Sequence, residues 1–190
     1  MKKVLLLGDS IREHYQTVVQ KKLGKNYSVY FPWENCRFSA FTLNSLRYWL
    51  YNIPAEQLDV IHWNNGLWDT AHINGEDTCF CDLDTYLDNM ERIYQVLRKQ
   101  TNAKIILATT TPTRKEKENN EISRHYLSDI KRYNEALIKK FEGRVNGIND
   151  LYSLVIEERE KMICDDYIHP TEYGKNKLAE QVCNIITEIK

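Results

Sequence analysis

Short, largely apolar runs that alternate with stretches of helical periodicity most constrain how this chain folds. The four clearest runs occupy residues 4–7, 29–31, 60–63 and 105–108, and a weaker one lies around 145–148. Strands covered by helices on both faces read as continuous apolar runs, because neither face meets water. The pattern therefore predicts an α/β fold in which a five-stranded parallel sheet lies between two layers of helices.

The segments between these runs carry apolar residues at intervals of three and four, which is typical of amphipathic helices. One predicted helix follows the first run and stops at Gly24, and others cover 43–50, 83–97, 126–141 and the segment after Pro170-Thr171. The length of 190 residues suits one core, and no repeat or boundary interrupts the pattern. We therefore expect a single domain over 1–190.

The carboxyl ends of the strands are where ligands bind in open parallel sheets. A charged stretch without periodicity, 114–120, follows the fourth predicted strand at this edge. It is predicted to be a loop, and it is either a solvated surface or a lid over the site.

Composition sets limits on compartment and partners. The formal net charge is −1, so there is no electrostatic reason to expect a nucleic-acid or anionic-membrane partner. The apolar run at 4–7 is too short for the core of a signal peptide, and no stretch approaches the length of a membrane span. The odd number of five cysteines then favours reduced thiols, and we expect a cytoplasmic protein without membrane insertion.

Ser10 follows the first predicted strand and begins the first predicted helix. Backbone N–H groups at a helix start point outward and carry positive potential. A serine at this position can attack a carbonyl while its own N–H helps to bind the oxyanion. The alternative is that Ser10 only caps the helix, a role that serine often fills.

A base for this serine is offered near the other end of the chain, by the sequence Asp166-Tyr167-Ile168-His169. A carboxylate three residues before a histidine on a turn can accept its Nδ1 proton and leave Nε2 facing a nucleophile. Asp165 is a rival for the carboxylate. The alternative is a capped helix beside a solvated histidine.

Together, Gly8-Asp9-Ser10 and Asp166-x-x-His169 resemble the two end motifs of the SGNH/GDSL hydrolase family, and the resemblance spans nearly the whole chain. It implies a three-layer α/β/α sandwich of flavodoxin-like type, a triad of Ser10, His169 and Asp166, no metal and no cofactor. The absence of a Gly-x-Ser-x-Gly motif argues against the larger α/β-hydrolase fold.

The second block of the family departs from its pattern here. Members usually carry a glycine whose N–H joins the oxyanion hole, whereas this chain has Glu34-Asn35-Cys36-Arg37. Any residue except proline has a backbone N–H, so Cys36 is predicted to supply this donor, with Arg37 as the alternative.

The third block, usually Gly-x-Asn-Asp, aligns in two ways with residues 64–69. Strand length places Gly66 on the family glycine and Trp68 where the asparagine belongs, whereas a shifted match places Asn64 or Asn65 there. A neutral amide donor is needed for the oxyanion, and Asn65 is favoured over Asn64. The predicted oxyanion hole is therefore made by Ser10, Cys36 and Asn65.

The function implied by the resemblance is that of a serine esterase working through an acyl-enzyme. We expect it to hydrolyse short acyl esters such as O-acetyl groups on carbohydrates, with a small-molecule ester or acylated carbohydrate as its partner. A lysophospholipase or thioesterase acting on lipid acyl groups is the alternative, and a non-catalytic binding module on the same fold is another.

Aromatic and basic residues near the predicted site leave two interpretations open. Trp33, Trp63 and Trp68 either fill the core or form a platform for a sugar ring or a wall for an acyl chain. Arg12 and Arg37 either bind a polar substrate or pair with nearby glutamates.

Other cysteines and histidines carry no predicted chemistry. Cys79-Phe80-Cys81 is too closely spaced for a zinc motif and has no second ligand pair, so we expect no metal site. His62 lies within an apolar run and is predicted to be a hydrogen-bonded core histidine. The remaining histidines lack a supporting motif; they are His14, His72 and His125.

Overall fold

The computed structural model describes residues 1–114 and 123–189. Seven strands occur in these ranges: β1 (Lys2–Leu7), β2 (Tyr27–Tyr30), β3 (Val60–Trp63), β4 (His72–Ile73), β5 (Lys104–Ala108), β6 (Ser123–Arg124) and β7 (Gly147–Asn149). Five of them form a parallel sheet in the order β2-β1-β3-β5-β7, and β4 and β6 form a separate antiparallel pair. The five parallel strands thus have the flavodoxin-like order 2-1-3-4-5.

Within the same ranges, seven α-helices accompany the strands: α1 (Ser10–Leu23), α2 (Ser39–Tyr51), α3 (Leu83–Gln100), α4 (Leu127–Phe141), α5 (Leu151–Ile156), α6 (Arg159–Met162) and α7 (Glu172–Glu188). Side chains of β1 alternate between two cores. Val4 and Leu6 pack with α1 and α7, whereas Leu5 and Leu7 pack with α2, α3 and the second half of α4. Each face of the sheet is therefore covered, and the predicted three-layer α/β/α sandwich is confirmed.

The main strands lie close to their predicted positions, because strands buried on both faces of a parallel sheet consist of continuous apolar runs that can be recognised in the sequence. The third strand occupies 60–63 as predicted, whereas the last begins at Gly147, after Val145. The β4–β6 pair was not predicted, since it joins two-residue strands that are distant in sequence. The predicted lid at 114–120 lies, apart from Arg114, outside the described residues.

No helix in the described ranges is both long enough and apolar enough to cross a membrane.

Candidate active site

Ser10 is the first residue of α1, at the carboxyl end of β1, an interior strand of the sheet. The cap of this helix is Asp9, whose Oδ1 accepts the N–H of Ile11 at 3.0 Å. The interpretation of Ser10 as the N-cap is therefore wrong, and its hydroxyl is available for another partner.

That partner is His169, whose Nε2 lies 2.9 Å from the Oγ of Ser10. On the other side of the ring, Nδ1 lies 2.7 Å from Oδ2 of Asp166. The rival carboxylate, Asp165, instead forms an ion pair with Arg114. The structure thus brings a hydroxyl, an imidazole and a carboxylate from opposite ends of the chain into one hydrogen-bonded series.

Asp166 is held by its own turn. Its Oδ1 accepts the N–H groups of Ile168 at 3.0 Å and His169 at 2.9 Å. Partial burial opposes its charge, but these two N–H groups and the His169 ring outweigh it and keep the pKa of the Asp166 carboxyl below its usual range. The side chain is therefore a carboxylate at neutral pH, which suits it to orient the imidazole.

Asp9 and His14 are ionisable groups beside Ser10 and His169 whose own pKa values are shifted by burial. Burial raises the pKa of Asp9 to about 6, against the opposing effects of the Ile11 N–H and the charge of Arg12. The ring of His14 contacts that of His169 at a tilt of 38°, with centroids 4.9 Å apart, and burial together with the neighbouring imidazole lowers the pKa of His14. His14 carries no motif, so sequence reasoning missed this contact.

Arg12 does not reach the cavity. It is fully buried, and its guanidinium donates to the carbonyl of Gly8 at 3.2 and 3.1 Å and to that of Glu34 at 2.7 Å. It therefore braces the turn that carries Ser10, and neither predicted role describes it. Arg37 is exposed, with its guanidinium over the ring of Phe41 at 4.7 Å.

The predicted second-block donors are already engaged. The N–H of Cys36 donates to the carbonyl of Gly8 at 3.2 Å, and its Sγ accepts the Gly8 N–H at 3.4 Å. The N–H of Arg37 donates to Oδ1 of Asn35 at 2.7 Å. The prediction that Cys36 or Arg37 supplies an oxyanion donor is therefore corrected, because neither N–H is free.

Asn65 is engaged as well. It is fully buried, and its Nδ2 donates to the carbonyl of Arg37 at 3.0 Å and to Oγ1 of Thr42 at 2.9 Å. Its Oδ1 accepts the indole N–H of Trp63 at 2.9 Å. With both amide hydrogens used, Asn65 joins β3 to α2 and does not serve the oxyanion as predicted.

The alternative amide, Asn64, lies beside the turn at Gly8. A Cβ added to Gly8 would lie 3.0 Å from Oδ1 of Asn64. Its side chain has no hydrogen bond to any described residue. Trp68, the alternative match to the family asparagine, is 42% exposed and lines the cavity beside Ser10. The other two tryptophans differ from each other: Trp63 is buried in the core, whereas Trp33 is exposed to solvent.

The N-terminus of α2 offers backbone donors that sequence reasoning missed. Its first N–H, on Ser39, donates to Asp69, and the N–H of Thr42 donates to the carbonyl of Phe38. The N–H of Ala40 has no acceptor among the described residues, as expected in the first turn of a helix. The apolar residues of α2 that show helical spacing begin only at 43. The small polar residue Ser39 was therefore the one sequence signal that the helix starts earlier.

A cavity of about 360 Å³ opens beside Ser10 and His169. Its wall is mostly apolar, with contributions from Phe38, Leu67, Trp68, Ala71, Ile73, Phe80 and Ile168. The polar members besides the triad are Ser123 and His125. Burial lowers the pKa of His125 to about 4, so that ring is neutral at physiological pH. The cavity therefore suits an apolar group next to the nucleophile.

The remaining histidine and cysteine predictions have mixed outcomes. His62 is a buried core histidine with Nε2 2.9 Å from Nδ2 of Asn149, as predicted. Cys79 and Cys81 are free, half-buried thiols. Cys79 nevertheless lies in a cluster with His72 and Asp129.

No family model matches this sequence, and no curated protein matches it significantly. Solved structures are similar along the full length. Acetyl xylan esterase AlAXEase superposes with a TM-score of 0.76 and 19% identity, covering 97% of this chain and 99% of that chain. A lipolytic protein of the G-D-S-L family from Veillonella parvula DSM 2008 superposes with a TM-score of 0.76 and 14% identity, covering 99% of this chain and 100% of that chain. TesA superposes with a TM-score of 0.70 and 18% identity, covering 100% of both chains. The chain therefore has the fold of these esterases.

Proposed function

We propose that this chain, which has the fold of the G-D-S-L and SGNH esterases, is a serine carboxylic ester hydrolase. The observation that carries the proposal is the 2.9 Å contact between the Oγ of Ser10 and Nε2 of His169, with Asp166 at 2.7 Å on the far side of the ring. Nucleophile, base and orienting carboxylate in this series are the arrangement that two-step acyl transfer needs.

In the proposed reaction, His169 accepts the Ser10 proton as Oγ attacks the ester carbonyl. Asp166 stabilises the imidazolium, and the alcohol departs with that proton. Water then attacks the acyl-enzyme by the same route, which releases the acid and restores the serine.

The oxyanion in this mechanism is held by the N–H groups of Ser10 and Ala40. Both lie in the first turn of a helix, and neither has an acceptor among the described residues. Phe38, which caps α2, lines the same cavity as Ser10. The N-terminal ends of α1 and α2 thus both reach this cavity, and the positive potential at a helix N-terminus favours a developing oxyanion there.

Two substrate classes fit this mechanism. Short acyl esters, including O-acetyl groups on carbohydrates, are favoured by the acetyl xylan esterase among the similar structures. Esters with a longer apolar acyl chain, the class of a lipid acyl hydrolase or thioesterase, are favoured by the apolar wall of the cavity. A bare acetyl group leaves most of a 360 Å³ space without apolar contact, so the cavity favours the longer chain.

The function and the chain length are tested together with p-nitrophenyl esters from acetate to decanoate. Each methylene buried in the cavity contributes about 0.8 kcal/mol, so kcat/KM is expected to rise by about fourfold per methylene until the cavity is filled. A preference for acetate, together with faster release of acetate from acetylated xylan, would support the carbohydrate substrate instead.

Ala71→Leu is the matched control for this series, because Ala71 lines the cavity and a larger side chain shortens it. We expect the variant to lose turnover of the long esters and to keep that of the acetate. If the unmodified protein hydrolyses none of the esters or does not react with a fluorophosphonate, the proposed esterase activity is contradicted. The remaining interpretation is then a non-catalytic binding module on the same fold.

Asp166→Asn is expected to lower kcat by about 10²- to 10⁴-fold with little change in KM, because the amide no longer stabilises the imidazolium. Asp166 is half exposed, and solvent shares in this stabilisation, so we expect the lower part of that range. The matched control is Asp165→Asn, one residue away, where Asp165 pairs with Arg114 and has no contact with His169. Equal losses in steady-state rate for the two variants would contradict the assignment.

A further inference from the structure

His72, Cys79 and Asp129 form a compact cluster, and the chain neighbours of His72 and Cys79 line the cavity. His72 lies on β4, Cys79 on the segment leading to α3, and Asp129 in the first turn of α4. The distance from Nε2 of His72 is 2.9 Å to Oδ2 of Asp129 and 3.7 Å to Sγ of Cys79. All three atoms lie within 4.8 Å of one another. A nitrogen, a sulfur and an oxygen from three separate segments therefore converge on one point.

Imidazole, thiolate and carboxylate are all ligands of Zn²⁺, a borderline-soft ion that accepts nitrogen, sulfur and oxygen together. With Zn–N and Zn–O bonds of about 2.0–2.1 Å and a Zn–S bond of about 2.3 Å, ligand atoms in a tetrahedral site lie about 3.3–3.6 Å apart. Two of the three observed separations, 2.9 and 3.7 Å, are close to these values, and the third is at most 4.8 Å, so side-chain movements can bring the three atoms to this geometry.

The cluster is also held in position by its surroundings. The side chain of His72 is 7% exposed and that of Asp129 is 19% exposed. The guanidinium of Arg132 donates to Oδ1 of Asp129 at 2.9 Å, which turns Oδ2 toward His72. Partners of this kind orient the ligands of metal sites and raise metal affinity.

We propose that His72, Cys79 and Asp129 bind a divalent transition-metal ion, with Zn²⁺ as the best match, and that a water completes the tetrahedron. Binding displaces the thiol proton of Cys79 to solvent and leaves His72 neutral. The ion links β4 and the segment before α3 to α4. Those two segments carry Ile73 and Phe80 of the cavity wall, and Ala71 of that wall directly precedes β4, so the site is a structural clamp on the wall. This proposal does not depend on the esterase activity.

The test is Co²⁺ titration of the full chain, freed of metal beforehand, followed by absorption and by thermal melting. We expect about one equivalent per chain, a thiolate-to-cobalt charge-transfer band in the near-ultraviolet, and a higher Tm with Co²⁺ or Zn²⁺. Cys79→Ser removes the band and the rise in Tm. The matched control is Cys81→Ser, two residues away and outside the cluster, which keeps both.

Asp129→Asn gives a second measurement, because its amide oxygen can still accept a hydrogen bond from His72 and so preserves the fold. We expect Co²⁺ to bind this variant at least about tenfold more weakly. No charge-transfer band in the unmodified protein, a band that survives Cys79→Ser, or an unchanged Co²⁺ affinity in Asp129→Asn would each overturn the proposal.

Discussion

Ser10→Ala is expected to lower kcat for ester hydrolysis by at least about 10⁴-fold and to leave the protein folded. The variant removes the hydroxyl that lies 2.9 Å from Nε2 of His169, and without it no acyl-enzyme forms. Stability is expected to change little, because the helix is capped by Asp9 and alanine is a good residue for a helix. Steady-state rates and the Tm of the purified variant check the two parts separately.

Two further variants make this experiment specific. Ser153→Ala is the matched control, since Ser153 also lies at a helix start but hydrogen-bonds Asp150, away from the cavity. It is expected to keep its rate and to show no loss of fluorophosphonate labelling. The double variant Ser10→Ala/His169→Ala is expected to be no slower than Ser10→Ala, because the members of a triad act as a unit. Retention of a tenth of the activity in Ser10→Ala would contradict the proposed nucleophile.

Gly174→Ala is expected to destabilise the protein by about 3 kcal/mol or more, at the upper end of overpacking effects. A Cβ on Gly174 would lie 2.1 Å from the carbonyl oxygen of Met162. That oxygen belongs to the backbone and accepts the N–H of Thr171 at 2.8 Å, so it cannot rotate away. The start of α7 must therefore move relative to α6. For a chain of this size we expect Tm to fall by about 6–12 °C.

The same displacement reaches the site, because α7 begins three residues after His169. A shift of about 1 Å in a catalytic group can cost about 10²-fold in rate, so we expect kcat of the folded variant to fall as well. The control is Gly147→Ala, where the nearest atom to a Cβ is Cδ1 of Ile185 at 3.5 Å, an ordinary contact. Similar melting temperatures for the two variants would show that the close approach at Met162 relaxes freely.

The sequence by itself determined the layers of the fold and the three side chains of the proposed triad. Apolar runs and helical periodicity report burial, which depends on a residue and its near neighbours, so β3 could be placed at 60–63 from its apolar run. Asp166 and His169 lie in one turn, and their contact is local. Ser10 is far away in sequence, but its place after the first strand puts it at the sheet edge where ligands bind.

Only the tertiary structure decided which polar groups remain free. Cys36 and Asn65 were reasonable donors by residue type, but their hydrogens are used by Gly8, Arg37 and Thr42, which reach them through folding. Likewise, Cys79 belongs to a cluster with His72 and Asp129, and not with Cys81. A hydrogen bond or ligand set joins whichever segments come together in space, and no periodicity along the chain records those distant partners.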